Sequence, residues 1–266
     1  MRQWYLLFAC VWLPLVANAA PLEIAYGAHE KQRMDVYGAG TLTHAPIVVM
    51  VHGGAWRIGD KSMGRVVDAK QPYFNGKDYV FISLNYRLLP EADPLQQAAD
   101  VAAALRYIRA NASQWGGDAS RLILMGHSAG AHLVALLGAN PAAWGLQPWT
   151  ATIGLDSAVY DVASIMRLPH LPLYDKAFGT DASFWVKASP RAQLSMQAVP
   201  MLLVCSSERR VSCAQAKLMA KQAIEFGAIA EVLTEEKSHG EINAELGTPG
   251  DYTASVQSFI DRRLGQ

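Results

Sequence analysis

Six short runs rich in Val, Ile and Leu, at 46–51, 79–84, 121–125, 150–155, 199–205 and 230–233, lack the apolar–polar alternation of a sheet with one wet face. Continuous runs of that length suit strands buried on both faces of a parallel sheet. Helical patterns lie between and after them, at 94–111, 129–138, 212–226 and 251–264; in the first, Leu95, Ala98, Val101, Ala102, Leu105 and Ile108 recur at spacings of three and four. Strands alternating with helices predict a doubly wound α/β fold, a mostly parallel sheet with helices on both faces. The opening segments 22–26 and 32–37 alternate better and read as an antiparallel edge hairpin. In such sheets ligands and chemistry collect at the carboxyl ends of the strands.

The 266 residues are 51% hydrophobic and 17% charged, which excludes a disordered or acidic-tail chain. Lys plus Arg balance Asp plus Glu at 23 each, so the cationic surplus that neutralises phosphates is missing and no nucleic-acid partner is expected. A neutral small molecule is the better-matched partner. Residues 1–19 carry one cation, Arg2, then an apolar run over 4–16 and the small-residue pattern Ala17-Asn18-Ala19. That layout reads as a cleaved signal peptide, and the run stops short of the roughly 20 residues that span a bilayer, so no stable membrane anchor is expected. Residues 20–266, with no repeat or linker, then form a single domain in the periplasm or outside the cell. In an oxidising compartment Cys205 and Cys213 can pair as a disulfide. No metal site is expected, because no histidine is placed to complete one with two cysteines.

The chemistry concentrates in two glycine motifs. Gly126-His127-Ser128-Ala129-Gly130 fits G-x-S-x-G directly after an apolar strand and directly before a helix. A one-residue turn from strand to helix strains the middle residue and leaves no room for side chains two positions away, so Ser128 is presented as an exposed nucleophile. His52-Gly53-Gly54-Ala55-Trp56 follows an earlier strand. Its paired glycines let backbone amides approach a developing oxyanion, and Gly53, Gly54 and the amide of Ala129 are the expected oxyanion hole. Trp56, beside that loop, is a candidate substrate-binding wall.

Together HGGAW, Gly59-Asp60-Lys61, Asn85-Tyr86-Arg87-Leu88, GHSAG and the late Ser238-His239 resemble carboxylesterases of the α/β-hydrolase fold, of the hormone-sensitive-lipase and feruloyl/acetylxylan-esterase type. The resemblance runs from about Arg33 to Leu264. It implies the α/β-hydrolase fold, a Ser-His-acid triad, no cofactor, and hydrolysis of short acyl esters.

On this fold the triad follows the order serine, acid, histidine. His239 is the last histidine and lies in a loop after the final strand, which makes it the expected base. In the resembling family the acid follows the penultimate strand, where this chain reads Ser206-Ser207-Glu208-Arg209-Arg210. Arg209 stands where an aspartate belongs, so Glu208, one residue earlier and one methylene longer, is the expected acid. Asp156, Asp161 and Glu241 are the alternatives. The apolar, Pro-rich stretch 160–189 reads as a small lid-like insertion over an acyl or aryl group. The expected function is an exported serine esterase acting on short-chain or aryl carboxylic esters. The competing readings are an arylformamidase-like amide hydrolase and a non-catalytic binding protein on a hydrolase scaffold.

Overall fold

The computed structural model describes residues 20–40 and 42–265. Residues 1–19, read above as a signal peptide, lie outside them. The strands are β1 Leu22–Ala25, β2 Arg33–Tyr37, β3 Ala45–Val51, β4 Val80–Leu84, β5 Gly117–His127, β6 Ala151–Leu155, β7 Met201–Ser206 and β8 Ala230–Glu235. The helices are α1 Gly64–Val67, α2 Lys70–Asn75, α3 Pro94–Asn111, α4 Ala129–Ala139, α5 Val162–Met166, α6 Pro172–Phe178, α7 Ala182–Lys187, α8 Arg210–Glu225, α9 His239–Ala244 and α10 Asp251–Leu264.

All the strands join one eight-stranded sheet in the order β1-β2-β4-β3-β5-β6-β7-β8. The expected hairpin forms, with Leu22 opposite Val36, and β2 pairs antiparallel with β4. From β4 to β8 every pairing is parallel. The buried central strands explain their continuous apolar runs. In β3, Ile47, Val49 and Val51 pack on one face with Val101, Leu105 and Ile108 of α3, while Val48 and Met50 pack on the other with Val256 and Phe259 of α10. Both faces need apolar side chains, so the period of two is hidden in the sequence. The run at 230–233 departs from this pattern: β8 is the far edge of the sheet, and its side chains are only half-buried.

Helix α3 starts where the sequence supplies a full capping box. Asp93 accepts from the amides of Leu95 and Gln96, and the Gln96 side chain accepts from the Asp93 amide. The insertion at 160–189 folds as the short helices α5, α6 and α7, between β6 and β7. Cys205 and Cys213 form a disulfide with an S–S distance of 2.00 Å. It ties the end of β7 to the first turn of α8 and closes the turn that carries Glu208 and Arg209. Among the described residues no helix is long and apolar enough to cross a membrane, and no group of three or more His, Cys, Asp or Glu side chains is placed to hold a metal ion.

Candidate active site

The carboxyl ends of β3, β5, β6, β7 and β8 deliver the residues singled out above. Ser128 lies between β5 and α4 with φ of 56° and ψ of −115°, the strained conformation that the sharp turn imposes. Its glycine neighbours are required by space. A Cβ on Gly126 would stand 2.4 Å from the carbonyl oxygen of Gly130, and one on Gly130 would stand 2.2 Å from that of Val51. The elbow is held to the sheet by the amide of Ser128 donating to the Leu155 carbonyl at 2.9 Å. Ala129 opens α4, so its amide has no acceptor inside the helix.

The His-Gly-Gly loop packs directly on this elbow. A Cβ on Gly53 would stand 2.9 Å from the Cβ of Ser128, and Gly54 has φ of +123°, with only 1.8 Å between such a Cβ and the Ile58 carbonyl. No side chain fits at either position. His52 is buried, stacks on Tyr86 at 4.5 Å and turns its Nδ1 to the Gly53 carbonyl at 2.7 Å, so it braces the loop. Trp56 is buried against His132, Tyr174 and Phe178. Its indole N–H donates to Nδ1 of His132 at 3.2 Å. Burial pulls the His132 imidazole down to about 4, so it stays neutral, and both its nitrogens are engaged, Nδ1 by Trp56 and Nε2 by the Ala188 carbonyl at 2.7 Å.

His239 begins α9. Its Nδ1 lies 2.6 Å from Oδ2 of Asp156. The carboxylate at the histidine is therefore Asp156 and not Glu208, which is exposed on the turn after β7. The register explains the exchange. Leu155 of β6 pairs with Val204 of β7, so a residue just past β6 reaches the space that a residue after β7 was expected to fill. Asp156 adopts φ of 52°, a left-handed conformation that aspartate tolerates better than most residues. Its Oδ1 accepts from the Ser206 amide at 3.0 Å and from the Ser212 hydroxyl; Oδ2 accepts from Nη1 of Arg209. Burial pushes this carboxyl upward, but the bonds from His239, Ser206 and Ser212 and the charge of Arg209 outweigh it and hold it well below the usual carboxylate range.

Arg209 thus occupies the expected aspartate position and pairs with the acid that replaces it. Its Nη1 is also 2.7 Å from Nδ1 of His239. With the imidazole proton on Nδ1, donated to Asp156, Arg209 serves the carboxylate, and Nε2 keeps a lone pair. The alternatives Asp161 and Glu241 have other work. Asp161 caps α5 and pairs with Arg191 at 2.9 Å; Glu241 accepts from the Ser238 amide at 2.7 Å in the capping box of α9.

Two further groups fix the histidine loop. His127, pulled down to about 3 by burial and by its neighbour His239, is neutral, and its Nε2–H donates to the His239 carbonyl at 2.9 Å. Buried Lys70 donates to the carbonyls of Arg65 and Asn243, the latter in the last turn of α9. Neither role carries a sequence motif. Lys70 betrays itself only as a charged residue at the start of a helix that packs on the sheet.

A cavity of about 370 Å³ is lined by Ser128, His239, Gly53, Gly54, Ala129 and Trp56 together. Leu171, Leu173 and Tyr174, from the loop before α6 and its first turn, form part of its wall, so the insertion does cover the site. A strained serine elbow, a glycine loop packed on it and a carboxylate-held histidine at the carboxyl edge of a mostly parallel eight-stranded sheet define an α/β-hydrolase. Residues 34–223 match the model of the BD-FAE family, and the chain belongs to that family.

Relatives agree with this assignment. Isoprenylcysteine alpha-carbonyl methylesterase ICME of Arabidopsis thaliana is 28% identical over 243 residues, which is 82% of this chain and 56% of that protein. Esterase LipQ of Mycobacterium tuberculosis is 32% identical over 165 residues, 58% of this chain and 35% of the relative. The chain spans about half or less of the length of these curated relatives. Among solved structures, a thermophilic esterase of Thermogutta terrifontis superposes with a TM-score of 0.72 at 18% identity, covering 92% of this chain and 93% of that one. A truncated carbohydrate esterase from gut microbiota gives a TM-score of 0.76 at 18% identity, covering 94% and 98%. These superpositions establish a shared fold.

Proposed function

We propose that the protein is a serine esterase cleaving short-chain or aryl carboxylic esters through an acyl-enzyme, with Ser128, His239 and Asp156 as the triad. The observation that carries this reading is the 2.6 Å contact between His239 Nδ1 and Asp156 Oδ2 at a cavity that Ser128 also lines. The carboxylate orients the ring, leaving Nε2 to take the Ser128 proton as the hydroxyl attacks the ester carbonyl. The new oxyanion accepts from the amides of the Gly53–Gly54 loop and of Ala129, donors fixed in place before the reaction. The imidazolium then gives its proton to the leaving alkoxide. Water, activated by the same nitrogen, releases the acyl group and frees Ser128.

The names of the relatives support ester rather than amide chemistry. With phenyl acetate and formanilide as paired substrates, the expected result is rapid release of phenol and little or no release of aniline. Turnover of formanilide at the faster rate would instead favour an amide hydrolase. Export is part of the proposal, supported by the Cys205–Cys213 disulfide, a bond that persists in oxidising compartments.

A further inference from the structure

The catalytic cavity adjoins a second one of about 500 Å³, bounded by α5, the loop into α6 and the first turns of α8. The two share Ala158, Leu171, Tyr174 and Arg209. Their charge is one-sided. Arg65, Arg209 and Arg210 line them, and no aspartate or glutamate does. His170, which also lines the second, is tied to Asp175 at 3.0 Å. The carboxylate that balances Arg209, on Asp156, is wholly buried and already holds four donors.

Arg209 spends one nitrogen on that partner. Nη1 makes its hydrogen bonds, and among the described residues Nε and Nη2 make none, although the side chain keeps 33% of its exposure. Beside it stands Tyr174, whose hydroxyl also lacks a hydrogen-bond partner among the described residues. Burial pushes that phenol upward, so it remains a neutral O–H donor. The remaining walls of the second cavity are largely apolar, formed by Ile165, Leu168, Pro169 and Val211. An unspent guanidinium edge and a phenol, set where an apolar trough meets the catalytic cavity, match an apolar group that ends in a carboxylate.

We propose that the preferred esters carry a carboxylate on one arm, an aryl or alkyl group that reaches from Ser128 to the junction of the two cavities and sets its anionic end on Arg209 and Tyr174. This rests on the esterase reading and narrows its substrate class. Two isosteric substrate pairs test it: 4-carboxyphenyl acetate against 4-carbamoylphenyl acetate, with the charge on the alcohol arm, and monomethyl terephthalate against methyl 4-carbamoylbenzoate, with the charge on the acyl arm. In one pair the carboxylate is expected to gain about tenfold or more in kcat/KM, chiefly through KM, as a charged hydrogen bond supplies. That ratio should collapse toward unity in Arg209→Gln, fall in Tyr174→Phe, and shrink in about 1 M salt, where charges are screened within about 3 Å. Because it is a ratio within one variant, damage done to the triad by Arg209→Gln cancels, and the tyrosine variant and the salt series decide if that variant does not fold. Equal rates in both pairs, or a preference that survives Arg209→Gln, overturn the proposal while leaving the esterase reading intact. Failure of the wild type on all four esters removes both.

Discussion

Replacing Ser128 with alanine is expected to lower kcat on short p-nitrophenyl esters by about 10⁴- to 10⁶-fold while leaving the fold intact. The loss is large because the hydroxyl is the only protein group in the scheme that bonds to the acyl carbon; the amide cradle and the cavity alone give what remains. The fold should survive because the elbow is held by its backbone. The Ser128 amide donates to Leu155, its carbonyl accepts from the His132 amide at 3.1 Å, and the close glycine contacts stay as they are. Alanine also has no longer side chain to fit into the strained turn. Circular dichroism and the melting temperature should match wild type within a few degrees, while activity falls to near background. A variant that keeps its fold and most of its turnover would remove Ser128 from the mechanism.

The second large effect separates the two carboxylates. Asp156→Asn is expected to cost about 10³- to 10⁴-fold in kcat, because an amide no longer demands the proton on Nδ1 and cannot balance the imidazolium. The amide also leaves the charge of Arg209 beside the ring without its counter-charge, which adds to the loss. Glu208→Gln should stay within about threefold of wild type, as surface substitutions away from special features are worth about 0.5 kcal/mol or less. Glu208 is exposed, and His239 Nδ1 donates to Asp156. The inverse result, a silent Asp156 and a crippling Glu208 change, would return the acid to the turn after β7.

What the sequence reveals follows from which forces are local. Continuous apolar runs mark β3 to β7, because burial on both faces is a property of each strand by itself. The serine elbow is equally legible, since its glycines answer to steric demands within a few residues. The acid is not, because it depends on how neighbouring strand ends meet. Asp156 and Glu208 both satisfy the order of serine, acid and histidine, and only the pairing of β6 with β7 brings one of them to His239. Arg209 in the expected aspartate position was the available signal, since a cation there calls for an acid from a neighbouring strand. The edge position of β8 is also a property of the assembled sheet, and its composition resembles that of a buried strand closely enough to mislead. Lys70 and His127 act through backbone carbonyls, which have no sequence signature.

Labelling by a fluorophosphonate, followed by mass spectrometry of the modified peptide, tests most directly whether the hydroxyl at the elbow is an activated nucleophile. The account predicts one adduct, on Ser128, formed in the wild type, absent in Ser128→Ala and strongly slowed in His239→Ala. An unlabelled wild type, or an adduct on a different side chain, would contradict it.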